Sequence, residues 1–125
     1  MRILTLLAAL ALATPAAAFD TPFRMRVQQT SATDFTVLYN SQAEITDYWC
    51  AAGNFVTNTL GLSDRTRVFR ASSHPPKAGQ GISFSLDPAR SVGKTGLTTF
   101  GGPQDGSFSA GGAYAQFCFE FYEDF

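Results

Sequence analysis

The chain has 125 residues, with nine Lys or Arg against ten Asp or Glu and a formal net charge of −1. So even a balance offers neither the basic surface that binds nucleic acid nor the attraction that holds a protein on an anionic membrane. One histidine and two cysteines, Cys50 and Cys118, leave little material for a metal cluster.

The first eighteen residues read as a secretory signal peptide. Met1-Arg2 supplies a charged start, residues 3–13 form an apolar run, and Pro15 precedes the small exit Ala16-Ala17-Ala18. The apolar run is too short for a helix that needs roughly 20 residues to cross a bilayer, so cleavage after Ala18 is expected rather than anchoring. Removing eighteen residues from 125 leaves 107, the size of one domain, residues 19–125. Residues 19–125 hold no second long apolar stretch, so the released domain is not expected to embed in a membrane. The expected location is the periplasm or the cell exterior. There an even pair of cysteines oxidises, and a Cys50–Cys118 disulfide is expected.

Phe23, Met25 and Val27 alternate with Arg24, Arg26 and Gln28, the period of a half-buried strand. Turn formers at 30–34 lead to Phe35-Thr36-Val37-Leu38-Tyr39, which completes a hairpin. Ser41 and Glu44 stand three apart as a capping box, and Gly61 offers a left-handed stop, so a helix is predicted over about residues 42–60. Ile45, Tyr48, Trp49, Ala52, Val56 and Leu60 form its apolar stripe. Within it, Cys50-Ala51-Ala52-Gly53 is a run of small residues that lets another backbone come close.

Residues 65–71 and 81–86 read as the third and fourth strands, joined by a loop that carries His74 and two prolines. Ser91-Val92-Gly93-Lys94-Thr95 ends like a phosphate loop, but Pro88 stands where that motif needs its first glycine, so Lys94 is read as a solvated loop residue. Residues 96–100 are a candidate fifth strand. Residues 113–122 alternate strictly, with Ala113, Ala115, Phe117, Phe119 and Phe121 on one side, and are expected as the last strand. Between them a glycine-rich loop, 101–112, is long enough to be functional.

These elements predict an α+β domain: an antiparallel sheet of five or six strands, one helix packed on it, and one disulfide. The prediction contains a conflict. Cys50 lies off the helix's apolar stripe and Cys118 lies on the strand face opposite the phenylalanines, so the two sulfurs point apart unless one element is displaced.

No cofactor is expected and no catalytic set is identifiable. Arg24, Arg26, Arg65, Arg67 and Arg70 on two strands are explained by pairing with Glu120, Glu123 and Asp124, or, if gathered on one face, by an anionic ligand. The function expected is therefore a non-enzymatic interaction or structural role with an unknown protein or small ligand. One alternative is a small-ligand binder that uses Phe100, Asp105 and Phe108 in or beside the glycine-rich loop. Another is a small hydrolase or a hydrolase inhibitor, whose enzyme branch needs two carboxylates facing across a cleft.

Overall fold

The computed structural model describes residues 18–20, 25–72, 79–97 and 104–118. Six strands form one antiparallel sheet: β1 (Ala18–Asp20), β2 (Arg26–Gln29), β3 (Asp34–Val37), β4 (Arg67–Arg70), β5 (Ile82–Ser85) and β6 (Ser107–Ser109). Their spatial order is β1-β2-β3-β5-β4-β6. The hairpin β2-β3 closes at residues 30–33, where the Thr30 and Ser31 amides donate to the Asp34 carbonyl at 2.9 and 3.2 Å. Its register sets Val27 opposite Val37. Val37 in turn faces Ile82, and Phe35 faces Phe84. Alternation then puts Val27, Phe35, Val37, Ile82 and Phe84 on one buried face.

That face is covered by α1 (Ile45–Asn54), which continues into a π turn at Phe55–Thr59. Of the expected stripe, Tyr48, Trp49, Ala52 and Val56 are buried in the core and Ile45 and Leu60 are half-buried against it, while Phe55, outside the stripe, joins the core as well. The Phe35 and Phe55 rings lie 4.8 Å apart, and Trp49 meets Phe84 edge-on at 4.8 Å. Trp49 Nε1–H donates to the Thr95 carbonyl at 2.8 Å, so the one polar atom of this fully buried indole is satisfied. That bond gives the 91–95 segment a structural place at the edge of the core.

The helix starts one turn later than the capping box at Ser41 predicts. The Asn40 side chain accepts from Gln42 N–H at 2.9 Å and its carbonyl from Ala43 N–H at 3.1 Å, so residues 40–43 form a turn instead. Glu44 becomes the cap, and its N–H donates to the Asp47 carboxylate at 2.8 Å. At the far end Gly61 adopts φ +68°, as the sequence predicts, and Leu62 N–H reaches back to the Val56 carbonyl at 3.0 Å. The Thr57 hydroxyl donates to the Gly53 carbonyl at 3.0 Å, a contact of the kind that bends helices, at the place where the ladder widens to π spacing.

The C-terminal part corrects the sequence reading. Of the strand expected over 113–122, the described residues are helical: α2 (Ala110–Ala113) runs into a second π turn, Tyr114–Cys118. The domain therefore has two helices on the sheet, not one. Ser109 Oγ caps α2 by accepting the Gly112 N–H at 3.1 Å. The Ala110 and Gly111 amides donate to the Thr66 and Asp64 carbonyls at 2.8 and 2.9 Å. The apolar positions that matter are Ala110, Ala113 and Phe117, spaced three and four apart, whereas Ala115 is exposed. The sixth strand is β6, inside the segment expected as loop. Gly96 and Leu97 form a bend rather than a strand, and residues 98–100 and 119–125 lie outside the described residues.

The helical C-terminus also resolves the conflict over the cysteines. Cys50 and Cys118 are bonded, with Cα atoms 4.9 Å apart and both side chains fully buried. Cys50 faces away from the sheet because it faces α2. The small run beside it is the contact surface. A Cβ built on Gly53 would lie 2.6 Å from the Ala110 carbonyl oxygen and 3.0 Å from Tyr114 N, so only glycine permits this approach.

Candidate binding site

Where the two π turns meet, they leave a cleft of about 460 Å³, within the range of small-molecule sites. It is lined by Thr57 and Asn58 of the first π turn, by Leu62 and Asp64 of the loop after it, and by Gly111 of α2 with Tyr114 and Ala115 of the second π turn. Single π turns inside helices are frequent at functional sites, because the extra residue breaks the regular stacking of side chains and re-aims those on either side. Here the close packing of Gly53 against Ala110 and Tyr114 sets the two helices that line the cleft against each other.

Gly111 sets the position of the acidic group. A Cβ there would lie 2.7 Å from the Asp64 Cβ and 3.1 Å from its Cγ, so the missing side chain is the space that Asp64 occupies. The Asp64 backbone is held by the Gly111 N–H, and its side chain is exposed. Asn58 gives one amide N–H to Asn54 Oδ1 at 2.5 Å and keeps a second N–H and its own carbonyl oxygen as an acceptor. Thr57 spends its hydroxyl proton on the Gly53 carbonyl and keeps lone pairs. Thr57, Asn58 and Asp64 together offer more acceptors than donors, one of them a carboxylate, beside the aliphatic Leu62 and Ala115 and the Tyr114 ring.

The residues singled out in the sequence lie elsewhere. Phe100 is outside the described residues. Asp105 is exposed, and its Oδ1 accepts from Ser107 Oγ at 2.5 Å and Ser107 N–H at 3.1 Å. The Ser107 hydroxyl, opposed by partial burial and helped by the Ser107 amide and Arg67, holds the Asp105 carboxyl below the usual value. Phe108 is half-buried on the core face, edge-on to Trp49 at 4.8 Å and to Phe117 at 5.2 Å. Neighbours in one strand point to opposite faces, so the partner of Asp105 and the ring of Phe108 are on opposite sides of the sheet.

The arginines do not gather. Arg67 donates to Ser107 Oγ from Nε at 3.2 Å and from Nη2 at 2.7 Å on the outer face. Arg70, three residues on and therefore on the helix side, is buried and donates to the Lys94 carbonyl at 2.9 Å and the Ser72 carbonyl at 2.6 Å. Burial pulls its guanidinium below the usual pKa. Arg26 and Arg65 are exposed, and Arg24, His74 and the acidic residues 120, 123 and 124 lie outside the described residues. Among the described residues no group of three His, Cys, Asp or Glu could hold a metal ion, and no helix is long and apolar enough to cross a membrane.

The cleft itself escaped sequence reasoning. Asn58 sits on the polar side of a predicted helix, Asp64 in a short loop, and Tyr114 on a segment read as a strand. Only the spacing Ala110, Ala113, Phe117 behind the Ser109 cap could have exposed α2. No protein-family model matches the chain, and neither the curated proteins nor the solved structures contain a match to it.

Proposed function

We propose that this chain is an exported, disulfide-clamped domain of the periplasm or cell exterior that works by binding, without catalysis, and that the cleft between the two π turns is its binding site. The reading is carried by one observation: the cleft is built from two helices fixed on each other by the Gly53 contact and the Cys50–Cys118 bond, so its walls are preorganised before any ligand arrives. The charged, apolar and small-residue zones of residues 1–18 support export, and a fully buried disulfide suits an oxidising compartment.

Two measurements test it. Protein isolated from the cell envelope is expected to begin at Phe19 and to carry no free thiol by intact mass; a species that keeps Met1 or has two free thiols overturns the export half. Amide NMR spectra recorded with envelope extract are expected to shift at Asn58, Asp64 and Tyr114, and Ala115→Arg at the exposed rim is expected to abolish those shifts. Shifts confined to residues 104–108 would instead favour the glycine-rich loop as the site.

A further inference from the structure

We infer that the cleft selects a primary ammonium or guanidinium group carried on an alkyl stem, a deepening that rests on the reading of the cleft as the binding site. The chemistry of the lining is unbalanced toward this ligand. Among the described residues the Asp64 carboxylate has no ion-pair partner, and it lines a concave site in which its field acts on a cation at short range. The Asn58 carbonyl oxygen and the Thr57 lone pairs are acceptors in the same lining, where the Thr57 hydroxyl proton and one of the two Asn58 amide protons are already spent on Gly53 and Asn54. A cation with several N–H donors suits all three, whereas an anion meets the Asp64 carboxylate and, among these three side chains, only the one remaining Asn58 N–H.

The apolar part of the lining sets the rest of the ligand. Leu62, 40% exposed, and the exposed Ala115 line the same cleft, and their carbons can cover the methylenes of a stem whose charged head reaches Asp64. The Tyr114 ring borders the same space, and an aromatic face adds attraction for a cation. Gly111 is the specificity element: a side chain there would collide with the Asp64 Cβ and Cγ and displace the carboxylate. Two sources carry this group, a free diamine and a Lys or Arg side chain on a partner protein.

The test is an amide NMR titration of the full oxidised domain with 1,4-diaminobutane, with N-acetyl-lysine methylamide, and with n-butanol and a neutral disaccharide as uncharged controls. Both ammonium probes are expected to shift Asn58, Asp64 and Tyr114, and Asp64→Asn is expected to weaken them about two- to fivefold, as does raised salt. Tighter binding of the diamine marks a free small molecule as the source; tighter binding of the lysine derivative marks a partner's side chain. Equal response to n-butanol, or no loss in Asp64→Asn, overturns the inference. Shifts at the cleft with the disaccharide and none with either ammonium overturn the charge selectivity while the cleft remains the binding site. Silence at the cleft with every probe and with envelope extract overturns both. Because Asp64 is exposed, its replacement is expected to leave the fold intact, which the spectrum of the variant checks directly.

Discussion

Replacing Gly53 by alanine separates two forces of opposite sign. Gly53 lies inside α1, where alanine is the better helix former by about 0.8–1 kcal/mol, so local propensity alone predicts a gain in stability. The packing predicts a loss. The new methyl would stand 2.6 Å from the Ala110 carbonyl oxygen, 3.0 Å from Tyr114 N and 3.1 Å from the Ala113 Cβ. The two nearest are backbone atoms of α2 and its π turn, and neither can swing aside as a side chain does. Forcing extra methyls into packed interiors costs about 1–3 kcal/mol, and a clash against backbone belongs at the upper end. Set against the propensity gain, the net expectation is a loss of about 1–2 kcal/mol, or a Tm lower by roughly 5–10 °C for a domain of this size. Thermal and urea unfolding followed by the fluorescence of Trp49, the chain's single tryptophan, reads this directly. A Gly53→Ala variant as stable as the parent, or more so, would refute the close contact between the helices and with it the fixed walls of the cleft.

Removing the bridge by the double change Cys50→Ala and Cys118→Ala frees a loop spanning 68 positions and is expected to cost up to about 4 kcal/mol in urea unfolding; an unchanged midpoint would show that the bond constrains nothing in the unfolded chain. Asp34 accepts from Ser85 Oγ at 2.5 Å and from Thr33 Oγ1 at 2.9 Å, and pairs with Arg90 at 2.6 Å. The Ser85 hydroxyl, more than the other partners and against partial burial, holds its carboxyl below the usual value. A depressed folded-state pKa stabilises above the unfolded value of about 3.9 and loses that contribution as pH falls through the folded value. Urea midpoints measured from pH 7 down to 2 should therefore fall in the acid range, and Asp34→Asn should flatten that limb; an equally steep limb in the variant would assign it to other groups. Arg70→Lys replaces two separate donors, Nε and Nη1, by one ammonium for the Lys94 and Ser72 carbonyls, and a loss of roughly 1–3 kcal/mol is expected in the same unfolding assay. Full stability of that variant would mean the fork geometry is dispensable.

The parts of the fold that local pattern specifies were readable. Met25 and Val27, then Phe35 and Val37, alternate because one face of the hairpin is buried, and the α1 stripe follows from the same burial at helical period. The small run around Gly53 was legible as a close approach, although not which element approaches. The C-terminus misled because two periods overlap there. Ala113, Ala115 and Phe117 satisfy a period of two, and Ala110, Ala113 and Phe117 satisfy a helix. Gly111 and Gly112 then tip local propensity against the helix that forms. What decides is tertiary: the bare Cα of Gly53, the Thr66 and Asp64 carbonyls that receive the first amides of α2, and the sulfur of Cys50. The cleft was invisible for the same reason, since its three walls come from distant segments and exist only once α2 is helical.

The Cys50–Cys118 bond also divides the sheet. Strands β4, β5 and β6 lie within the covalent ring that it closes, β1, β2 and β3 lie on the tail outside it, and the two groups occupy separate halves that meet at the β3–β5 border. A protease that cuts once inside the ring, for example after the exposed Arg90, leaves every strand tethered and the nicked molecule a single covalent species until it is reduced. A cut in the turn at residues 30–33 frees β1 and β2 to dissociate. Damage to this protein in a protease-rich setting is thus asymmetric: the half of the sheet inside the ring survives a broken backbone, and the two outermost strands of the other half depend on the continuity of one short hairpin.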